Sequence, residues 1–524
     1  MADNSNTTAA SPALPAGHVD THKWWRYKNL RTLNLLLIIP LLSIFSQGFD
    51  GSMMNGLQAV SQWQTYFGTP TGAALGLFNA AYPLGGVLGV FFIPTISDLW
   101  GRRMGLALGA AISVLGGILQ ASAADLAMFI VARLLLGGGC VITAGVGAPL
   151  ITEIAHPHQR TTATALFLTS YALGSIVAAW STFGTFRIEN SAAWRIPSGL
   201  QAFPSVIQLL GIWWVPESPR WLISKGRCEE AWKMIYTYHS ENVETDELAI
   251  FEYKEILGAV ANLEPASANR SLKQNFQHLT LFIKTPGNRK RTAILIWAAI
   301  CSQMSGNAFV SYYLSPILKS VGLTTDLQQT LINATGQMLS WFSALYFATL
   351  PAKLGRRTLF LWSLVFIWIC DICITIGSAL FEKYDNRAAG YVVVVFLYLF
   401  SPAYNFGFNG NLGLYVPEIL PFEMRTTGLA VFYFTQFCFN ILSSFTTPIG
   451  LETLTWKFYI IYVAWVVVEF VVIYFLFPET KGPSLEDIAV LFDGPDRREL
   501  ESGKNASEVK IEPRPESVSE VEKV

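Results

Sequence analysis

Twelve long apolar runs constrain the fold of this chain more than any other feature. Each run is close to the ~20 residues that a helix needs to cross a bilayer, and charged residues make up only 14% of the chain. The chain is therefore predicted to be an all-α integral membrane protein with twelve transmembrane helices. The runs lie at about 33–50, 75–96, 104–122, 126–148, 163–185, 196–215, 292–315, 328–350, 358–380, 389–413, 428–449 and 457–477.

A short signature occurs once in each set of six runs, with nearly one period of about 260 residues between the copies. A match of three pieces in the same order indicates an internal duplication. A membrane chain with two similar halves is typical of a transporter whose substrate site lies between them. The repeated pieces are Gly101-Arg102-Arg103 with Gly355-Arg356-Arg357, Glu153 and Arg160 with Glu418 and Arg425, and Pro216-Glu217-Ser218 with Pro478-Glu479-Thr480.

Basic residues collect in alternate short loops, and the even number of runs puts these loops on the side of both termini. By the positive-inside rule that side is the cytoplasm, and the membrane is predicted to be the plasma membrane. The predicted organisation is a disordered N-tail at 1–32, an N-terminal six-helix bundle at 33–215, a cytoplasmic helical loop at 216–290, a C-terminal six-helix bundle at 291–477, and a C-tail at 478–524.

Several function classes are not supported by the residues. No phosphate-binding loop, metal-ligand cluster or nucleophile–base set is present in the sequence, so neither an enzyme nor a cofactor is predicted. All six histidines lie in tails or loops, so no metal site within the membrane is expected. A net charge of −1 gives no reason to expect nucleic acid. The expected partners are the lipid bilayer and a small solute, and the chain is expected to be a monomer.

Three motifs, in this order, resemble the sugar porter family of the major facilitator superfamily over about residues 34 to 490. The stretch Asp98–Arg103 resembles the family's loop between spans 2 and 3, Pro216–Leu222 resembles the end of span 6, and Pro478–Gly482 resembles the end of span 12. The resemblance implies two six-helix bundles with a cytoplasmic helical linker, and a sugar as the transported solute. A finer resemblance, carried by Gly48–Gly56 and Ser305–Tyr313, is to fungal lactose permeases and cellodextrin transporters.

Carboxylates and arginines collect at the predicted cytoplasmic helix ends. Arginine–carboxylate pairs are geometrically specific, and such pairs could break when two bundles rock apart. We therefore predict a cytoplasmic latch that favours the outward-open state, against the alternative that these residues only anchor the topology. The latch residues are Asp98, Arg102, Arg103, Glu153, Arg160, Glu217, Arg356, Arg357, Glu418, Arg425 and Glu479.

Charged residues inside spans are costly, roughly 2.5–3.5 kcal/mol each. Asp50 ends the first run and Arg133 lies early in the fourth, so both are at similar depth and can pair. In the resembled family the matching residues form the coupling pair of proton symporters, which implies proton coupling here; a purely structural ion pair is the alternative. Asp371 in span 9 and Glu469 in span 12 are interpreted as neutral or hydrogen-bonded packing residues, with a role in a proton path as the alternative.

A sugar site needs amides and hydroxyls for the sugar's rim and an aromatic ring for its face. Five residues of spans 7 and 11 match the family's sugar-binding positions, and Asn307 lies one residue before the position of a family asparagine. Span 10 adds two asparagines four residues apart on one helical face. For each amide, packing between helices is the alternative role. The candidates are Gln303, Asn307, Tyr312, Tyr313, Gln436, Asn440, Asn405 and Asn409.

The chain also departs from the family at this site. Ser302 replaces the first family glutamine of span 7, Ala308 stands where an asparagine is expected, Leu168 replaces a span 5 glutamine, and Gly413 replaces the span 10 tryptophan that packs against a hexose. These losses predict a larger, less polar cavity, so we expect proton symport of a sugar that could be a disaccharide such as lactose or cellobiose. A facilitative hexose uniporter and a sugar sensor are the alternatives.

Overall fold

The computed structural model describes residues 19, 21–261, 280–348, 350–481 and 492. Most of both predicted tails therefore lies outside the described residues. Within the predicted N-tail, Thr21–Arg26 forms a short 3-10 helix and Lys28–Leu36 forms an α-helix. These residues are helical rather than disordered because Leu30 and Leu33 are fully buried.

Most of the described residues are helical, and no strand occurs among them. The first half contains span 1 (Ile38–Ala59), spans 2 and 3 (together Gly72–Ala121), span 4 (Leu126–Ile154), span 5 (Arg160–Thr185) and span 6 (Ala192–Leu200 and Phe203–Gly211). The second half contains span 7 (Pro286–Met304 and Asn307–Ser320), span 8 (Asp326–Phe347), span 9 (Arg356–Tyr384), span 10 (Arg387–Gly407 and Asn411–Ile419), span 11 (Phe422–Leu454) and span 12 (Phe458–Leu476).

Eight helical segments of the described chain are long and apolar enough to cross a membrane. Two of them, Gly72–Ala121 and Thr427–Leu476, are 50 residues long, about twice the length that one crossing needs. Each therefore holds two spans, and spans 6 and 8 complete the predicted twelve. The side on which span 1 begins and span 12 ends is called the terminal side below, and the opposite side is called the far side.

Hydrogen bonds close the far side between the two halves. The Gln58 side chain of span 1 donates to the carbonyl of Tyr312 in span 7 at 2.9 Å, and Asn55 accepts from the backbone N–H of Leu314 at 3.1 Å. Farther out, the hydroxyl of Ser61 donates to Asp326 at 2.7 Å. These hydrogen bonds join the two halves at the far-side ends of spans 1 and 7, and the contacts are called the far-side seal below.

The described part of the predicted cytoplasmic loop contains the helices Pro219–Ser224, Cys228–His239 and Glu247–Ala261, and a fourth, short helix, Leu281–Lys284, directly before span 7. The first three pack together. Their apolar residues share one buried cluster with Leu30 and with Leu150 of span 4. The loop is thus packed against the terminal side of the first half. Residues 262–279 of the loop lie outside the described residues.

Candidate functional site

Asp50 of span 1 and Arg133 of span 4 form a buried ion pair. Nη1 and Nη2 of Arg133 donate to Oδ1 and Oδ2 of Asp50 at 3.0 and 3.2 Å, and the two residues are 0% and 1% exposed, respectively. Nε of Arg133 donates to the carbonyl of Phe78 at 2.7 Å. The guanidinium is therefore fixed from two sides, and the pair is shielded from both membrane surfaces.

Gln201 also contacts this ion pair, and that contact was not predicted from the sequence. Its amide donates to Oδ1 of Asp50 at 2.8 Å and accepts from the Gln120 side chain at 3.2 Å. Gln201 lies at the break between the two helices of span 6. An amide at a break within an apolar span was the available signal, because interrupted spans mark sites in transporters.

The candidate sugar residues of spans 7 and 11 meet around Ser302. The hydroxyl of Ser302 accepts from the side chains of Gln436 at 3.1 Å and Gln303 at 3.3 Å. Asn440 donates to the side-chain oxygen of Gln303 at 3.0 Å. The residue that departs from the family pattern thus joins the three amides into one network, and Tyr404 of span 10 adds a hydroxyl that donates to the Ser302 carbonyl at 3.0 Å.

The other span 7 candidates lie next to this network. Tyr313 is fully buried and donates its hydroxyl to the carbonyl of Ser444 at 2.5 Å. Asn307 is partly buried and accepts from the hydroxyl of Ser311 at 3.3 Å. Tyr312 is partly buried and packs against a cluster of buried residues that includes Phe49, Trp63 and Tyr313. Tyr312 thus lies between the amide network and the far-side seal.

Asn405 and Asn409 belong to a different contact. Asn405 donates to Oγ of Ser343 at 2.9 Å and to the carbonyl of Ser340 at 2.8 Å, both in span 8, and accepts from Asn409 at 3.0 Å. Its amide donor is therefore occupied by helix packing. Asn409 is exposed, so only Asn409 of this pair has room for a ligand.

In the first half, the latch residues pair among themselves on the terminal side. Gly101 has φ 89°, a left-handed conformation that favours glycine. This turn directs the backbone N–H groups of Arg102 and Arg103 at the Glu217 carboxylate, at 3.1 and 3.2 Å. The Arg102 side chain pairs with Glu153 at 3.1 Å and lies 3.7 Å from the exposed carboxylate of Asp98.

The second half repeats this arrangement. Gly355 has φ 90°, and the backbone N–H groups of Arg356 and Arg357 donate to the Glu479 carboxylate at 2.8 and 3.1 Å. The Arg356 side chain pairs with Glu418 at 2.8 Å. The duplicated motifs therefore produce one geometry twice, and in this conformation each set of pairs lies within its own half.

Arg160 pairs with the loop helices rather than with another duplicated residue. Its guanidinium lies 3.1 Å from Glu252, whose other oxygen contacts Nδ1 of His239 at 2.6 Å. Nε2 of His239 lies 3.1 Å from the carbonyl of Ile154, at the end of span 4. The side chain of Arg425 lies outside the described residues.

These loop contacts shift the pKa values of the groups involved. Burial disfavours the charged form of His239, but the adjacent Glu252 carboxylate outweighs burial and raises the pKa of His239. Burial likewise opposes ionisation of Glu252, but His239 and Arg160 lower its pKa below the usual value. Burial and the nearby His239 lower the pKa of His156 to about 3, so His156 stays neutral. Burial raises the pKa of Glu217, although three backbone N–H donors oppose the shift.

The model of one protein family matches most of the chain. Its description is "Sugar (and other) transporter", and it aligns with residues 35–492. That stretch contains all twelve spans and every candidate residue named above.

Two fungal proteins illustrate the similarity to individual relatives. A high-affinity glucose transporter of Kluyveromyces lactis is 27% identical over 486 residues, which cover 88% of this chain and 85% of the relative. A hexose transporter of Saccharomyces cerevisiae is 24% identical over 520 residues, which cover 93% of this chain and 90% of the relative.

The same fold occurs in solved structures. The inward-open xylose transporter XylE from E. coli superposes with a TM-score of 0.71 at 18% identity, over 88% of this chain and all of XylE. The nucleoside transporter NupG superposes with a TM-score of 0.60 at 14% identity, over 85% of this chain. These structures establish the fold, with two bundles of six helices.

Proposed function

Because the chain belongs to the sugar porter family of the major facilitator superfamily, we propose that this multi-pass membrane sugar transporter is a proton symporter. In this proposal a sugar binds between the two bundles, and the bundles rock about it to expose the site to each side in turn. The protein is a transporter and not an enzyme, so binding and conformational change carry its function.

The observation that carries the proposal is the buried contact between Asp50 and Arg133. The Asp50 carboxylate accepts hydrogen bonds from both terminal nitrogens of Arg133 and from the Gln201 amide, so its negative charge is balanced by a contacting cation in this conformation. If the bundle motion separates Asp50 from Arg133 in an apolar interior, the bare carboxylate takes up a proton. Proton binding would then be linked to conformation, as symport requires.

The size of the driving force is sufficient for accumulation. One proton moving through a membrane potential of 100 mV provides about 2.3 kcal/mol. At tenfold per 1.4 kcal/mol, this corresponds to roughly fiftyfold accumulation of the sugar. A uniporter of the same fold would reach only equal concentrations on both sides, so accumulation separates the two functions.

The sugar-binding set that we propose comprises the amide network around Ser302, with Asn307, Tyr312 and Tyr313. Gln303 and Gln436 both donate to the Ser302 hydroxyl, so a sugar hydroxyl could replace Ser302 as their acceptor. Asn409, which is exposed, is retained as a binding candidate. Asn405 is assigned to helix packing because its amide already has partners in span 8.

The space around Gly413 favours a sugar larger than a hexose. A Cβ placed on Gly413 would meet no atom within 4 Å, so open space stands where the resembled family has a tryptophan. We propose a disaccharide such as lactose or cellobiose as the substrate. The relatives are named as glucose and hexose transporters, which makes a hexose the direct alternative.

We propose that the terminal side faces the cytoplasm, in the plasma membrane, and that the latch operates there in a monomer. In the present conformation the far side is sealed, and the pairs Arg102–Glu153 and Arg356–Glu418 hold each half together. Closure of the cytoplasmic side would bring these two charged clusters towards each other and favour the outward-open state. Normal transport rates in Arg160→Ala or Glu418→Ala proteins would contradict the latch.

The proposal is tested by uptake of radiolabelled sugars into yeast that lacks its own sugar transporters. We expect accumulation of a disaccharide above the external concentration, and loss of accumulation when a protonophore is added. Uptake that equilibrates without accumulation and ignores the protonophore would show a facilitator instead. A sugar-dependent signal without any uptake would show a sensor.

A further inference from the structure

The second half contains two buried acids that the proposed transport step does not use. Asp371 of span 9 is 2% exposed and Glu469 of span 12 is 0% exposed. Spans 9 and 12 pack against each other. Both residues lie near the middle of their helices, so they are far from either membrane surface.

Each acid has one carboxylate oxygen without a hydrogen-bond partner. Oε1 of Glu469 accepts from the indole N–H of Trp465 at 2.7 Å. Oε2 of Glu469 and Oδ2 of Asp371 are buried and have no donor. Within the described residues neither acid takes part in an ion pair. Two ionised carboxylates in this position would be strongly unfavourable, and such groups bind a proton instead.

Within the part of the chain that the structure describes, the titratable groups found to interact with the two acids include no lysine, arginine or histidine. The carboxyls are close enough to interact with each other. The other titratable groups that interact with them among the described residues are weak acids, which cannot neutralise a carboxylate as a cation would. These neighbours come from spans 7, 9, 10 and 12 and are Cys301, Cys370, Tyr404 and Tyr462.

Glu469 is related to the candidate sugar network through Tyr404. Tyr404 is close enough to interact with Glu469, and its hydroxyl donates to the carbonyl of Ser302 at 3.0 Å. The hydroxyl of Ser302 accepts from Gln303 and Gln436. A sugar that displaces these amides would therefore change the surroundings of Glu469 through two intervening residues, Ser302 and Tyr404.

We propose that Asp371 and Glu469 form a second proton-binding site, separate from Asp50–Arg133, which senses the sugar through Tyr404 and Ser302. The bound proton turns an unpaired acceptor oxygen into a hydroxyl and removes one negative charge from the membrane interior. The link to the sugar rests on the proposed function. The proton site itself does not, because it follows from burial and missing partners alone.

Infrared spectroscopy of the purified protein in lipid tests the proton site without any sugar. A protonated carboxylic acid has a C=O stretch that a carboxylate lacks. We expect this band at neutral pH in the wild type, reduced in Asp371→Asn and in Glu469→Gln, and retained in the matched control Asp50→Asn. Trp465→Phe, which removes only the donor to Oε1, should shift the band. The proposal would be overturned if the wild type showed no such band. It would also be overturned if both Asp371→Asn and Glu469→Gln left the band unchanged.

Sugar difference spectra test the link to the sugar site. We expect added sugar to shift the Glu469 band in the wild type, and we expect Tyr404→Phe to keep the band but lose the shift. An unshifted band in a protein that demonstrably binds sugar would overturn the link. Uptake of labelled sugar by the same preparation is measured separately. If the protein showed no sugar uptake, the proposed function would be wrong. The proton site would still be established by a band that the substitutions at Asp371 and Glu469 reduce.

Discussion

A Cβ at Gly101 would lie 2.6 Å from Oε2 of Glu217. The same relation recurs in the second half, where a Cβ at Gly355 would lie 2.7 Å from Oε2 of Glu479. Each glycine brings two consecutive backbone N–H groups onto a carboxylate that ends the last span of its half. The duplication has therefore preserved a backbone geometry, and the arginine side chains of the motif are free to pair with Glu153 and Glu418.

Replacing either glycine by alanine should destabilise the protein. The two glycines combine a positive φ with an extended ψ, a conformation that costs a non-glycine residue about 1–3 kcal/mol, and the new Cβ would also displace the carboxylate. We expect Gly101→Ala and Gly355→Ala to unfold at lower temperature in detergent and to transport more slowly. Gly226→Ala is the matched control, because Gly226 has φ 74° but nothing within 4 Å of its Cβ. Equal effects at Gly226 and Gly101 would show that the carboxylate contact adds nothing.

The contact between His239 and Glu252 should make the docking of the loop helices depend on pH. The raised pKa of His239 stabilises the folded state fully below its ordinary value of 6.5, and this contribution is lost as pH rises through the folded value. The lowered pKa of Glu252 gives a contribution that is lost as pH falls below about 4.5. Between these limits His239→Gln should lower the melting temperature most at mildly acidic pH, with little difference from wild type at alkaline pH.

Thermal unfolding across this pH range is the measurement for His239→Gln. His158→Gln is the control, since His158 is exposed. A pH-independent loss of stability in His239→Gln would show that the ring contributes packing and not charge.

The two groups of amides should separate in kinetic assays. Gln303→Ala removes a member of the Ser302 network, and one lost hydrogen bond of about 1 kcal/mol corresponds to a several-fold rise in KM for the sugar. Asn405→Ala removes contacts between spans 10 and 8. It should therefore lower thermal stability and leave KM unchanged. If Asn405→Ala raised KM and Gln303→Ala lowered only thermal stability, Asn405 would be the binding residue and Gln303 the packing residue.

Filling the space at Gly413 should change the choice of sugar. Gly413→Trp introduces the large ring that the resembled family carries there, and it should abolish disaccharide uptake while hexose uptake is kept or gained. Gly184→Trp, in span 5, is the control, because its Cβ also meets no atom within 4 Å. Unchanged disaccharide uptake in Gly413→Trp would place the substrate elsewhere.

Much of the architecture follows from the sequence. Apolar length and the repeated motifs predicted twelve spans and the major facilitator fold, and the family match and the XylE superposition confirm that fold. The similar depth of Asp50 and Arg133 predicted a contact that the structure contains. The lengths of the spans and the depths of Asp50 and Arg133 depend on positions along individual helices, and these positions can be counted in the sequence.

Other contacts could not be predicted, because they depend on where helices bend and dock. Gln201 reaches Asp50 only because span 6 breaks beside it. The partner of Arg160 is Glu252, which lies on a loop helix whose docking is set by burial of apolar residues and not by any repeated motif. Asn405 and Asn409 lie four residues apart on one helical face, a spacing that suggested a binding site. The Asn405 amide instead donates to two serines of span 8. The sugar-binding and latch roles of these residues stay predictions.

Proton coupling at Asp50 is the central claim, and it is tested most directly in proteoliposomes that contain the purified protein and a pH indicator. Sugar added to one side should drive proton movement in the same direction with the wild type. Asp50→Asn should retain sugar exchange between the two sides but move no protons and accumulate no sugar, whereas the surface control Asp385→Asn should behave as wild type. Sugar-driven proton movement that persists in Asp50→Asn would contradict the account.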